Sequence, residues 1–144
     1  MKTDLNYSAT DCFENFPFPQ ESPRAVIEGL ETLGERVYLA RAAYMVEQQV
    51  GLTVTYNRMK DPSCSEQAII ELRAVHEELD RAVLRAYGWE DLAASRGPYC
   101  VSSGQERSEQ ESWDNRVIER LMGLNVQRAE GEVLRGLGGK KGKR

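Results

Sequence analysis

The sequence has little of several features that mark common protein classes. Its three cysteines, Cys12, Cys64 and Cys100, are widely spaced and form no Cys-x-x-Cys pair. That spacing argues against a disulfide framework and a zinc knuckle, and it fits a reducing compartment. The start of the chain has no apolar signal-peptide core, and no uncharged run approaches the ~20 residues needed to span a bilayer. We therefore expect a soluble, cytoplasmic protein.

Positive charge is not in excess either. The chain has 19 lysines and arginines against 23 aspartates and glutamates, for a net charge of -4. A nonspecific DNA-binding protein normally carries an excess of cations on one face, so any contact with DNA is expected to be local. The length of 144 residues and the hydrophobic fraction of 40% fit one domain that folds.

The motifs of three enzyme classes are missing from the sequence. Methyltransferases that act on amino groups grip the flipped base with Asn or Asp followed by Pro-Pro and an aromatic residue. Gly97-Pro98-Tyr99 is the nearest approach, and it lacks the polar residue and the second proline. The glycine cluster at residues 136–142 follows no strand-helix pattern and fails the Walker spacing, and no Glu-x-Lys pair of a nuclease occurs. We predict no catalytic, cofactor-binding or metal-binding residue.

The single histidine is predicted to be structural. His76 begins His-Glu-Glu-Leu-Asp, which lacks the second histidine of a zinc-protease helix, and Asp80 one turn later could hold its ring. A partly buried ring is therefore favoured over catalysis. The neighbouring acids and arginines alternate at helical spacing, which is typical of a solvated face with i,i+4 pairs. They are Glu71, Arg73, Glu77, Glu78, Asp80, Arg81 and Arg85.

Hydrophobic spacing predicts a mainly α-helical chain with an extended N-terminal arm over residues 1–22. Phe16-Pro17-Phe18-Pro19 within the arm cannot be helical, because each proline forces its predecessor into extended geometry. The arm's aromatic side chains are expected to lie across an apolar surface. Ser22-Pro23 predicts the start of a first helix over about 23–50, which stops at Gly51. Its predicted apolar face contains Val26, Leu30, Leu33, Val37, Ala40 and Tyr44.

A connector over residues 52–60, with room for one helical turn, leads to a turn or N-cap at Asp61-Pro62. Helix two, over about 63–87, ends at Gly88 and completes a long antiparallel hairpin. Its predicted seam contains Ile69, Leu72, His76, Leu79, Val83 and Ala86. After a loop over residues 93–105, helix three runs over about 106–135 with Trp113, Val117, Ile118, Leu121 and Leu124 as its apolar stripe. Residues 136–144 form a basic, glycine-rich tail that we expect to be flexible, and residues 23–135 form the helical domain.

Two groups of residues are candidates for contact with DNA. Tyr56, Asn57, Arg58 and Lys60 place two cations beside an aromatic ring and an amide. Arg116 and Arg120 fall on one side of helix three. Both groups could meet phosphates, and a solvated surface is the alternative for each.

The order of several blocks points to a family. Asp11-Cys-Phe-Glu-Asn-Phe-Pro-Phe-Pro resembles the segment after the target-recognition region of MmeI-like adenine-specific DNA methyltransferases, which serve restriction-modification and phage defence. The resemblance continues in order to about residue 132, through Gly51-Leu-Thr-Val-Thr-Tyr-Asn-Arg with Asp61-Pro62, then residues 72–89, then residues 121–129.

That resemblance implies a helical segment beside the recognition domain of an enzyme that transfers methyl groups from S-adenosylmethionine to adenine N6. The catalytic and cofactor motifs of such enzymes do not occur in this sequence, so we expect a noncatalytic C-terminal part, present as a truncated or split chain. Its expected partners are the upstream catalytic and recognition part and DNA. Two alternatives remain: a small helical adaptor for another protein, or a nonfunctional gene remnant.

Overall fold

A computed structural model describes residues 16–19, 25–134 and 136 of the chain. Its helices are α1 (Leu30–Gln48), α2 (Leu52–Lys60), α3 (Gln67–Ala86), α4 (Glu90–Ala94) and α5 (Gly104–Leu134), and the described residues contain no strand. The predicted mainly helical fold is confirmed. The predicted boundaries of arm, helical domain and tail stay a prediction, since most of the arm and the tail lies outside the described residues.

The chain divides into two compact units. The first consists of Pro19–Asn115, and the second consists of Met1–Phe18 with Arg116–Arg144. In the first unit, α1 and α3 make the most extensive helix contact. Tyr44 late in α1 bonds to Glu66 at the start of α3, whereas Arg36 earlier in α1 pairs with Glu78 further along α3. Because the later residue of α1 contacts the earlier residue of the pair on the α3 side, the two helices are antiparallel, as predicted.

The core of this unit is small and lies between α1, α2 and α3. Tyr44, Met59, Ile69 and Leu72 form its buried cluster, each at most 3% exposed. Burial of these four side chains stabilises the fold, at roughly 1.5–3 kcal/mol for each large apolar side chain. A second buried set, Leu84, Leu92 and Ala93, lies on α3 and α4, which also pack on one another.

The first helix is shorter than predicted at both ends. Residues 25–29 are not helical, α1 begins only after Gly29 at φ 85°, and Val26 is 76% exposed, so its assignment to the apolar face is wrong. The predicted cap at Ser22-Pro23 lies outside the described residues. At the other end Gln49 takes the left-handed conformation at φ 52°, and Val50 N donates to Met45 O at 3.1 Å. Gln49 therefore ends α1 without a glycine, and Gly51 instead stands directly before α2.

The predicted connector is a nine-residue helix, α2. Thr55 and Met59, one helical turn apart, are fully buried, and this contact compensates for the weak helix propensity of its β-branched residues. Asp61 forms the predicted turn, since its Oδ1 accepts bonds from Ser63 N and Oγ. It does not cap the next helix, because α3 begins only at Gln67.

The remaining ends follow local hydrogen bonding. Gly88, at φ 74°, ends α3 as predicted, and Trp89 N donates to Leu84 O across it. The last two residues of the short helix α4, Ala93 and Ala94, lie in the predicted loop. Helix α5 begins two residues earlier than predicted because Ser103 and Glu106 form a reciprocal cap: Glu106 N donates to Ser103 Oγ, and the Glu106 carboxylate accepts from Ser103 N.

In the second unit, the Phe16 and Phe18 rings pack edge to face with centroids 5.0 Å apart. Residues 16–19 are not helical, as predicted, and Pro17 between the rings is buried. The expected packing of the other aromatic side chains of the arm, Tyr7 and Phe13, lies outside the described residues. On α5, Val117, Leu121 and Leu124 are half-buried, whereas Ile118 is 52% exposed, so Ile118 was wrongly assigned to their stripe. None of the described helices combines the length and apolar character needed to cross a membrane.

Candidate nucleic-acid interface

Helix α2 carries four of the six candidate DNA-contact residues. Asn57 and Lys60 are exposed, whereas Tyr56 and Arg58 are half-buried. Helix α2 is short and is held by its buried Thr55 and Met59. The exposed pair is therefore the more accessible to a ligand.

Arg58 is tied into the core through Tyr44. Arg58 Nη1 donates to Tyr44 Oη at 2.6 Å, and that hydroxyl donates to Glu66 Oε2 at 2.7 Å. Arg58 also lies 3.5 Å from Glu66 Oε1. Burial raises the pKa of Tyr44, and the hydrogen bond that Arg58 donates to Tyr44 is the main cause that raises the pKa of Arg58. The phenol and the guanidinium thus stay protonated and link α1, α2 and the start of α3.

Arg73 of α3 holds the end of α2 and the turn that follows. Its guanidinium donates to the carbonyl oxygens of Arg58, Met59, Asp61 and Cys64 at 2.6 to 3.0 Å. The last carbonyls of a helix have no partner within the helix, so a five-donor guanidinium satisfies them well. The prediction of a solvated face is therefore wrong for Arg73.

The other charged residues of α3 divide between pairing along the helix and pairing across the fold. Glu77 and Arg81 form the predicted i,i+4 pair at 3.7 Å, and Glu77 also accepts a bond from Tyr99 N at 2.7 Å. Asp80 does not hold the His76 ring as expected, since its carboxylate accepts Arg96 Nε at 3.1 Å. The Arg96 side chain is only 7% exposed.

His76 lies between two tyrosine rings, as expected of a structural histidine. Its ring centroid is 5.9 Å from that of Tyr56 and 5.4 Å from that of Tyr99. Tyr56 Oη accepts a bond from Arg41 Nη1 at 3.1 Å, and among the described residues His76 Nε2 has no hydrogen-bond partner. Burial lowers the pKa of His76, and the Arg41 charge acts in the same direction, whereas Asp80 opposes it. The neutral imidazole therefore acts as an aromatic spacer.

The other two candidates, Arg116 and Arg120, lie one turn apart on α5. Arg116 is exposed and Arg120 is half-buried. The six candidates therefore fall into two groups in the structure, four residues on α2 and two on α5. Their contact with DNA stays a prediction. Within the described ranges, no three His, Cys, Asp or Glu side chains are grouped so that they could hold a metal ion.

Sequence reasoning missed Arg73 and Arg96, which organise this region. Arg73 sits in a run of alternating charges that looks like any solvated helix face. Arg96 precedes Gly97-Pro98 in a segment assigned to a loop. No local motif distinguishes either residue, because the partners that join them to other elements lie 9 to 16 positions away along the chain.

Comparison with known proteins indicates a relationship to DNA methyltransferases. One relative is DNA methyltransferase A of Bacillus subtilis strain 168, which is 38% identical over 87 residues. The match covers 60% of this chain and only 8% of the length of that relative. No protein-family model matches the chain, and no solved structure matches it.

Proposed function

We propose that this chain provides a noncatalytic helical part of an S-adenosylmethionine-dependent, N6-adenine DNA methyltransferase of a restriction-modification or phage-defence system. In that role it supports the recognition domain or contacts DNA. The observation that carries the proposal is the 87-residue similarity to DNA methyltransferase A. The resemblance of the ordered sequence blocks to MmeI-like enzymes supports the assignment to N6-adenine methylation and to restriction-modification or phage defence.

The use of charged groups in the first unit supports a scaffolding role. Arg58, Arg73 and Arg96 bind backbone carbonyls, a phenol and carboxylates of the chain itself. Such bonds fix the relative positions of α2, α3 and the segment before α5. A rigid helical unit of this kind would hold a neighbouring domain at a fixed position.

A segment exchange tests the proposal. The matching segment of Bacillus subtilis DNA methyltransferase A is replaced by the corresponding residues of this chain, and transfer of labelled methyl groups to DNA is measured. We expect the exchanged enzyme to methylate DNA and an enzyme lacking the segment to be inactive. The matched control is the exchanged enzyme with Leu72→Asp, which places a charge in the core at a side chain that is 2% exposed.

The outcome that contradicts the proposal is an exchanged enzyme that is folded and binds S-adenosylmethionine but does not methylate DNA. Calorimetry on this chain tests the noncatalytic part separately. The chain alone should not bind S-adenosylmethionine, and clear binding at micromolar concentration would overturn that part.

DNA contact by α2 is tested with Lys60, which is exposed. If Lys60 meets a phosphate, Lys60→Gln should weaken binding to duplex DNA. It should also reduce the slope of log K against the logarithm of salt concentration by about one. Arg107→Gln on the exposed part of α5 removes the same charge and is the matched control. Equal effects of the two substitutions would remove α2 as the contact. Arg58 is unsuitable for this test, because its loss also disturbs Tyr44 and Glu66.

The alternative function, a small adaptor that binds another protein, is favoured by the exposed apolar residues of α5. Five of them, Ile118, Met122, Val126, Val133 and Leu134, are at least 52% exposed. A chain that shifts no DNA at low salt but forms a stable complex with a protein would support the adaptor over the methyltransferase part. A gene remnant would instead aggregate or lack fixed tertiary packing when expressed.

A further inference from the structure

One face of α5 exposes a continuous apolar row that the described fold does not cover. Ile118, Met122, Val126 and Val133 are 52%, 64%, 57% and 69% exposed, and Ala129 between them is exposed as well. Their steps of four, four, three and four residues align them along one side of a helix. We call these five residues the α5 stripe. It extends for about 22 Å, or four turns.

Carboxylates border the α5 stripe on both sides. At about 100° per residue, Glu119 and Glu130 fall along one edge of the stripe and Glu132 falls along the other. All three are exposed, and none belongs to the ion pairs found among the described residues. The nearby arginines point elsewhere, because Arg116 and Arg128 lie about a third of a turn from the centre of the stripe. The edges of the stripe are therefore negative.

This combination decides which partner fits. Apolar rows at helical spacing pack against the apolar row of another helix, and the charges at their edges select the partner. A second copy of α5 would set its own carboxylates against these, and like charges across an interface are unfavourable. DNA is excluded from this face for the same reason, since its phosphates are negative.

We propose that the α5 stripe binds an amphipathic helix of a partner protein whose apolar row is bordered by lysines or arginines. Glu119, Glu130 and Glu132 pair with these cations, while Met122 and Val126 occupy the centre of the contact. The inference goes beyond the methyltransferase proposal and does not depend on it. Either can fail without the other, since one concerns methyl transfer and the other a binding face.

Two synthetic helical peptides serve as probes of the full chain. Both carry leucine at alternating third and fourth positions, and one has lysines beside the leucines whereas the other has glutamates. Binding is measured by fluorescence anisotropy at low and high salt. We expect the lysine peptide to bind, with weaker binding at high salt because exposed charge pairs are screened. We expect no binding of the glutamate peptide.

Charge reversal tests the edges of the stripe. Glu119→Lys with Glu130→Lys should weaken binding of the lysine peptide by about tenfold or more and should create binding of the glutamate peptide. Glu35→Lys with Glu47→Lys changes the net charge equally at exposed positions of α1 and should leave both affinities unchanged. Equal losses in the two double variants would overturn the proposal, because only net charge would then matter.

Apolar substitution tests the centre of the stripe. Met122→Asn with Val126→Asn should abolish binding while circular dichroism retains the helical signal, because both side chains are already exposed. Unchanged binding in this variant would overturn the proposal. So would a dimer in sedimentation that this variant dissociates, since the stripe would then bind a second copy. Removal of residues 138–144 should leave peptide affinity unchanged, and a gain would assign the stripe to the chain's own basic end.

Discussion

The guanidinium of Arg96 lies against the indole ring of Trp113, with Cζ 5.0 Å from the ring centroid. The contact joins the segment after α4 to the first half of α5. Trp113 Nε1 is held in turn by the carbonyl of Leu92 at 3.0 Å. Arg96 also binds Asp80 at 3.1 Å and Gln110 Oε1 at 3.0 Å. One arginine thus connects α3, the loop before α5, and α5 itself.

Replacement of Arg96 by methionine should destabilise the protein by about 2 kcal/mol, because several partly buried acceptors lose a charged donor at once. The value lies below the roughly 3–5 kcal/mol that the loss of one partner of a buried ion pair costs, since the Asp80 side chain is 42% exposed and solvent screens it. Urea denaturation measures the change in the free energy of unfolding. The control is Arg36→Met, which breaks a pair with Glu78 whose side chains are 50% and 52% exposed. It should cost less than about 1 kcal/mol, and equal losses would contradict the role of Arg96.

Replacement of Arg73 by lysine should loosen α2, because an ammonium group cannot reach the four carbonyls that the guanidinium fork serves. We expect a loss of about 1–3 kcal/mol in the free energy of unfolding. Amide hydrogen exchange within α2 should accelerate more than exchange within α3, since α2 loses the cap at its end. Arg107→Lys on an exposed turn of α5 is the matched control. Uniform acceleration in all helices would show that Arg73 acts on global stability alone.

Periodicity alone predicted the antiparallel α1 and α3 pair, because a long helix with a buried face shows the same spacing wherever it folds. Gly88 also gave a correct end for α3, since its left-handed conformation suits glycine. Helix α2 was not predictable in this way. Residues 53–57 in its middle are weak helix formers, and its stability comes from burial of Met59 and from Arg73, which lies 14 residues further along the chain. The candidate site was predictable only as a set of residue types, because burial decides which of them are exposed.

The N-terminus of α5 gives a third prediction. Ser103→Ala should cost about 1 kcal/mol, because Glu106 N loses its acceptor. Glu106→Gln should cost less, since a glutamine can still accept from the Ser102 and Ser103 amides. Ser108→Ala on the next turn is the control and should be neutral or slightly stabilising. The free energy of unfolding is measured for all three, and a loss from Ser108→Ala as large as that from Ser103→Ala would contradict the cap.

His76 gives a prediction about pH. Burial holds its pKa below the ordinary value of about 6.5, so the unfolded chain binds a proton more readily than the folded chain. The contribution of the neutral ring is therefore fully present above about pH 6.5 and is lost as the pH falls from there toward the lowered pKa. His76→Phe keeps a ring between Tyr56 and Tyr99 but cannot titrate. The free energy of unfolding should depend less on pH between 5.0 and 7.5 in this variant than in the natural chain.

The matched control for that experiment is Glu106→Gln. Hydrogen bonds from Ser102 and Ser103 lower the pKa of the Glu106 carboxyl, so its contribution is present above its ordinary pKa of about 4.3 and is lost only at lower pH. Removal of this carboxyl should leave the slope between pH 5.0 and 7.5 unchanged. If His76→Phe and the natural chain have the same slope in that window, the charge state of His76 does not differ between the folded and unfolded chains. The imidazole would then bind its proton at the same pH in the folded and unfolded chains, and its burial would not lower its pKa.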